Sequence, residues 1–228
     1  MDQITKHKLD QAAQSLIASI DPSKVCDLAS SFHPDKIPCR IFSDWIEGSY
    51  NVCFPVVFNQ DERSMEGEKW MVRIPLLPRL AFPEEKMRGE IATMKYIAEK
   101  TTIPIPRLYG YSVRNDSILG LPFMLVEYIE GKTLFNTVLQ DLEHDTREHL
   151  YDQLGNVYIQ LYQQQFPRVG ALTLDKDDKD WIFENNRPLT VDINEQEARD
   201  AIRNEEDARW YLYGIFASQG ILMEWVKP

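Results

Sequence analysis

The stretch EGSYNVCFPVVF, residues 47 to 58, sets a small-residue bend in front of a strand-like apolar run. Gly48 and Ser49 could bring backbone amides close to a phosphate, and Val52, Phe54 and Val56 would pin the strand that follows. The same pattern opens an ordinary hairpin, so a tight turn without a phosphate stands beside the phosphate cradle as a reading. Further on, KWMVRIPLL alternates Trp70, Val72 and Ile74 against Met71, Arg73 and Pro75. An arginine on an inward-facing strand edge can form bidentate bonds with phosphate or carboxylate. Glu90, in the helical segment that follows, supplies a matching anion. Three roles are open to the pair: orienting a catalytic group, binding a ligand, or joining two elements structurally. Burial alone would not make it stabilising.

These side chains need elements to hold them. Leu9, Ala13, Leu16 and Ile20 recur at helical spacing, so the chain opens with an amphipathic helix. Pro22, Pro34 and Pro38 break up the segment after it, and from Ile41 to Pro75 the pattern is that of strands. The polar NQDERSMEGE reads as a solvent-exposed turn between two strand runs. PEEKMRGEIATMKYIAEK, residues 83 to 100, reads as a helix with Pro83 and acids in its first turn and Met87, Ile91, Met94 and Ile97 as its apolar stripe. LPFMLVEYIEG supplies another strand. Beyond Gly131 the pattern is mainly helical, with Leu150, Leu154, Val157 and Leu161 expected in a core. A small hairpin is expected in ALTLDKDDKDWIFENNRPLTVDI, with its acids on a solvated turn, and a terminal helix over residues 194 to 227. The division expected is an N-terminal helical extension (1–40), a mixed lobe (41–130) and a helical part (131–228), with a ligand crevice at the junction.

The totals narrow the partners. A chain of 228 residues, 43% hydrophobic and 27% charged, is globular and long enough for a substantial core. Its formal charge of -11 opposes nonspecific binding to nucleic acid or to an anionic membrane, while a local basic pocket for phosphate is permitted. Cys26, Cys39 and Cys53 form no CxxC pair and no disulfide framework. The charged start lacks the apolar core of a secretory signal, and no run reaches the length of a membrane span. A cytoplasmic location is the expectation these features give.

Taken in order, EGSYN, KWMVRIP, RGEIATMKYI, IPIPRLYGYS and GLPFMLVEYIEGKTL resemble the aminoglycoside phosphotransferase-like, protein-kinase-like family, especially its fungal members. The resemblance runs from near Ile41 onward. It implies an α+β fold: a kinase-like small lobe with an antiparallel sheet and a packed helix, then part of a helical lobe. It also implies ATP or GTP as cofactor, with Mg2+ left open, and a small molecule as ligand. In the family pattern Gly48, Ser49 and Asn51 belong to the phosphate-side loop, and Arg73 falls where the lobe presents its basic strand residue. Glu90 is the helix acid that orients that base. Glu127, Tyr128 and Ile129 lie along the adenine-side hinge, with backbone groups making the base contacts.

Phosphoryl transfer also needs one carboxylate for the acceptor hydroxyl and another for Mg2+. The family places them in an HxDxxxxN-like loop and a later Asp. Only His33 begins an HxD, in HPDKIPCR, where Arg40 stands in place of Asn and the stretch precedes the lobe. The expectation is therefore a shortened, noncatalytic nucleotide- or small-anion-binding module that stops before the catalytic loop. Two alternatives remain: a small-molecule phosphotransferase completed from elsewhere, and a family member reused for another reaction or as a scaffold. GxSxG, HExxH and the full Walker A pattern are absent, and no metal site is read from His144, Asp145, Glu148 and His149. Tyr211, Leu212, Ile215, Leu222 and Trp225 would form an apolar face covered by a homodimer or a protein partner.

Overall fold

The computed structural model describes residues 3–59, 66–131 and 139–184. Two helices, α1 (Gln3–Ser19) and α2 (Pro22–Phe32), precede β1 (Cys39–Ile41), β2 (Ile46–Glu47), β3 (Asn51–Phe58) and β4 (Glu68–Pro75). Helix α3 (Pro83–Lys100), β5 (Leu108–Ser112), β6 (Phe123–Glu127), α4 (His144–Tyr162) and the hairpin β7 (Ala171–Leu174) and β8 (Trp181–Glu184) follow. This is an α+β fold. Its main sheet is antiparallel in the order β1-β3-β4-β6-β5, with β2 also paired to β3.

Alternation along β4 assigns the sheet's two faces. Trp70, Val72 and Ile74 are buried on the side that α1 and α2 cover, in one core with Ala13, Ile17, Val25 and Leu28. Trp70 anchors it: its ring stacks on Tyr109 at 4.0 Å and meets Phe58 edge-on at 4.6 Å. Its indole N–H donates to Glu68 at 2.7 Å. Lys69, Met71 and Arg73 face the other way, toward α3. There Met87, Ile91 and Ala92 pack with Met124, Val113 and Leu174 in a second core.

Helix α2 is absent from the sequence reading, which took Pro22 as a breaker. Pro22 stands instead in the first turn, where its missing N–H costs nothing, and Asp21 caps the helix by accepting from the Ser23 amide at 2.9 Å. The stripe on α4 needs a correction too. Leu154 and Leu161 are 44% and 39% exposed, so they are not core residues here. Periodicity shows that a helix has an apolar side but does not name its cover. Polar contacts hold the C-terminal end of α4: Gln160 accepts from the Thr102 amide at 2.8 Å, and Gln164, two residues past the helix, accepts from the Tyr96 hydroxyl at 2.8 Å.

The expected hairpin is present, and its acids are not all solvated. Asp178 is 17% exposed and ion-paired to Arg88 and Arg114. Arg88 also donates to the carbonyls of Leu174 and Asp175, both at 2.8 Å, and Tyr111 Oη donates to the Asp178 carbonyl at 2.6 Å. The hairpin is thus fastened to α3 and β5. Most of the expected polar turn and all of the terminal helix, including Tyr211, Leu212, Ile215, Leu222 and Trp225, lie outside the described residues.

Two glycines should respond oppositely to alanine. Gly67 has φ +144°, and a Cβ there would collide with the Phe58 carbonyl, which the strand holds in place. Gly67→Ala is expected to destabilise by about 1–3 kcal/mol. Gly155 lies inside α4, and a Cβ added there would meet nothing within 4 Å, so Gly155→Ala should stabilise by about 1 kcal/mol. Thermal melts followed by circular dichroism check both signs.

Candidate functional site

Arg73 projects from β4 on the α3 side, directly across from Cys53 of β3. Its side chain is 32% exposed, and Nη2 lies 3.4 Å from Glu90 Oε1. Asn51, buried at the start of β3, completes the setting. With its amide oriented to suit its neighbours, Oδ1 accepts from Arg73 Nη2 at 2.8 Å and Nε at 3.3 Å, and Nδ2 donates to the Tyr50 carbonyl at 3.2 Å. Arg73 Nη1 has no partner among the described residues. Lys86, one helical turn before Glu90, binds the same Oε1. Two cations therefore share one carboxylate oxygen. The other oxygen, Oε2, is buried without a partner, a state that costs about 1–3 kcal/mol. The local balance is one positive charge in excess, inside a chain that is strongly negative.

The EGSYN turn lies beside this cluster. Gly48 N–H donates to the Asn51 carbonyl at 2.8 Å, which closes the turn and removes that amide as a phosphate donor. Gly48 does not need a left-handed backbone, and a Cβ there would meet only the Asn51 carbonyl at 3.5 Å. The small residue is thus not demanded by the turn itself. Arg79, from the 3-10 turn Leu77–Arg79, donates to the carbonyls of Gly48 at 3.2 Å and Ser49 at 3.3 Å. Lys86 Nζ stands 5.9 Å from the centre of the Tyr50 ring.

On the same face a strip of Pro55, Met71 and Val126 crosses the sheet in register from the Arg73 cluster toward the end of β6. Met71 and Val126 are only half-buried, so they leave an apolar surface. Beyond them the Glu127 amide donates to the Arg107 carbonyl at 2.8 Å, and its carboxylate accepts from the Arg107 amide at 3.1 Å. The Tyr128 amide donates to the Lys69 carbonyl at 3.1 Å, which prolongs the β4–β6 ladder by one residue. Ile129 follows, 59% exposed. Phe42 meets Tyr128 edge-on at 5.2 Å, and Lys69 lies over Phe42 while pairing with Glu130.

The structure thus gathers Asn51, Arg73 and Glu90 into one cluster, puts Gly48 and Ser49 on its flank, and sets Glu127 and Ile129 at the far end of the strip. Sequence reasoning missed Lys86, Arg79, Phe42 and Lys69. The spacing of Lys86 and Glu90, four residues apart on a helix, was a usable signal. Arg79 left none, because its partners are distant in sequence. The HxD stretch is structural: His33 is buried, stacked near Phe58 and Trp70, and its Nδ1 accepts from the Asp35 amide at 3.2 Å. His144, Asp145 and Glu148 do converge, but on the open surface of the first turn of α4.

The thiols differ in character. Cys39 lies against Cys26, and the hydrogen bond between their side chains lowers the Cys26 pKa from 9.0 to about 7 and raises that of Cys39. Burial pushes the Cys53 thiol up, with Arg73 opposing the shift in part.

A family model described as the phosphotransferase enzyme family matches residues 54–217, well over half of the chain, and the chain belongs to that family. Among curated relatives, a subtelomeric hrmA-associated cluster protein of Aspergillus fumigatus is 26% identical over 63% of this chain and 26% of its own. Altered inheritance of mitochondria protein 9, mitochondrial, of Zygosaccharomyces rouxii is 32% identical over 41% of this chain and 16% of its own. Its namesake in Candida dubliniensis is 26% identical over 68% and 24%. The chain spans about a quarter or less of the length of these relatives. A solved structure, the GDP and kanamycin complex of APH(2")-IIia, is 19% identical over 55% of this chain and 36% of that one, with a TM-score of 0.38. The cytoplasmic location expected from the sequence is overturned by the mitochondrial names of the yeast relatives. The sequence features used for it had tested only for a secretory signal and a membrane span, neither of which bears on a mitochondrial address. Among the described residues no helix is long and apolar enough to cross a membrane.

Alkylation should separate the thiols. Because the Cys26 pKa is lowered to about 7, its thiolate is already populated at neutral pH, and its reaction with iodoacetamide should level off above about pH 8. Cys53, pushed the other way, should react more slowly than Cys26 and keep accelerating beyond pH 9. Peptide mass spectrometry of timed samples reads the order, and Cys53 labelling ahead of Cys26 would contradict it.

Proposed function

We propose that residues 41–131 act as the nucleotide-binding lobe of a phosphotransferase-family protein. In this reading Arg73 and Lys86 hold the phosphates of ATP or GTP, with the Ser49 amide beside them, and the base rests on Met71 and Val126. The hinge contribution comes from the carbonyl of Glu127 and the amide of Ile129, since the Glu127 N–H is committed to Arg107. The observation that carries the reading is the Arg73 guanidinium. Asn51 and Glu90 fix two of its nitrogens while Nη1 is left without a protein partner among the described residues. A cation held in that way is pre-oriented, so little side-chain entropy is lost when it meets a phosphate oxygen.

The proposed activity of this stretch is binding. Transfer to an acceptor requires an acid for the hydroxyl and another for Mg2+. His33 and Asp35 do not supply them, because the histidine is enclosed by aromatic rings. The described residues bring no second carboxylate to Glu90, and Mg2+ is not assigned to them. The mitochondrial names of the yeast relatives support a mitochondrial setting for this chain.

Isothermal titration with ATP, GTP and adenosine tests the reading. The wild type should bind a triphosphate more tightly than adenosine. Arg73→Ala should weaken the triphosphate about tenfold or more, the worth of a hydrogen bond to a charged group, and leave adenosine nearly unchanged. No heat at millimolar ATP or GTP would refute nucleotide binding. Phosphorylation of an acceptor by the purified chain would refute the restriction to binding.

A further inference from the structure

Helix α1 is not merely a cover for the outer face of the sheet. Asp10 and Gln14, one turn apart on α1, reach the phosphate-side turn. Asp10 Oδ1 lies 3.0 Å from Arg79 Nη2, and Gln14 Nε2 donates to Glu47 Oε2 at 2.7 Å. Glu47 Oε1 closes the set, 2.7 Å from the same Arg79 Nη2. The Arg79 side chain is only 16% exposed, against 45% for Asp10 and 24% for Glu47. One enclosed guanidinium thus pairs with two carboxylates and holds two backbone carbonyls, those of Gly48 and Ser49.

That grip fixes the direction of an amide. In a trans peptide the C=O and N–H point to opposite sides, and the described residues contain no cis peptide. With the Gly48 carbonyl drawn to Arg79, the Ser49 N–H must point away from Arg79, on an exposed residue. Loss of the guanidinium would free the turn and leave Asp10 and Glu47 as uncompensated negative charges beside the place proposed for a phosphate.

We propose that α1 is a positioning part of the nucleotide site: Asp10 and Gln14 hold the Arg79–Glu47 pair, and that pair orients the Ser49 amide and shields the phosphates from two carboxylates. This rests on the nucleotide-binding reading above. By linkage, whatever α1 contributes to phosphate affinity, phosphate must return to the docking of α1.

Two measurements on the full chain test it. The first is amide hydrogen exchange of the wild type with and without ATP. Residues 3–19 should exchange more slowly with ATP although they contact none of it, and adenosine should give no such protection. The second is titration of Gln14→Ala, which leaves the charges of Asp10, Glu47 and Arg79 in place, with its fold checked by circular dichroism. Its ATP affinity should fall about fivefold while adenosine affinity is kept. If that variant fails to fold, Gln14→Met, of similar length and without the donor, takes its place and should give the same loss. ATP binding by the wild type with no protection of α1 and an unchanged folded variant would overturn this inference and leave nucleotide binding standing. Failure of the wild type to bind ATP would overturn both.

Discussion

A central strand covered on both faces cannot carry a charge without an answer to it. Strand β4 lies between β3 and β6, and its Trp70, Val72 and Ile74 side chains go into a buried core. Arg73 is on the opposite face, where α3 leaves it part of its exposure. The neighbours follow from that one charge. Asn51 sits at the start of β3 with its oxygen on the guanidinium, and Glu90 faces it from the third turn of α3. Lys86 then competes for the same carboxylate, so the neutralisation is incomplete and the place stays attractive to anions. An apolar residue at 73 would remove the need for all three.

The outer face is constrained differently. A sheet with one bare apolar face would be an aggregation hazard, and α1 and α2 remove it by packing on Trp70, Val72 and Ile74. Phe32 of α2 comes so close to the backbone of β5 that a side-chain carbon at position 110 would displace its ring, which suits the glycine there. The extension is therefore fitted to the sheet at particular atoms, and its polar edge reaches the turn before β3.

Local patterns were legible to the extent that they were local. The alternation in KWMVRIP, the apolar stripe of α3 with proline and acids at its start, and the short β7–β8 hairpin could all be read from neighbouring residues. The pairing of Arg73 with Glu90 was legible because an ordered set of segments carried it. Helix α2 was lost because Pro22 was weighed as a breaker without its capping aspartate. Arg79 was lost for another reason: its partners are residues 10, 47, 48 and 49, and only the folded chain brings them together. The exposure of α4 was misread because a stripe records a preference for burial and not the identity of what buries it.

The fastening of the β7–β8 hairpin by Arg88 has a mechanical meaning. The chain leaves the sheet after β6, runs through α4, and comes back to the same body when Asp178 is taken up by Arg88 and Arg114. Helix α4 is thus followed by a fastened return, and Gln160, with Gln164 just past the helix, pins its C-terminal end a second time. A segment tied by one linker can swivel in any direction. One whose far end is returned to the body in this way has fewer orientations open to it.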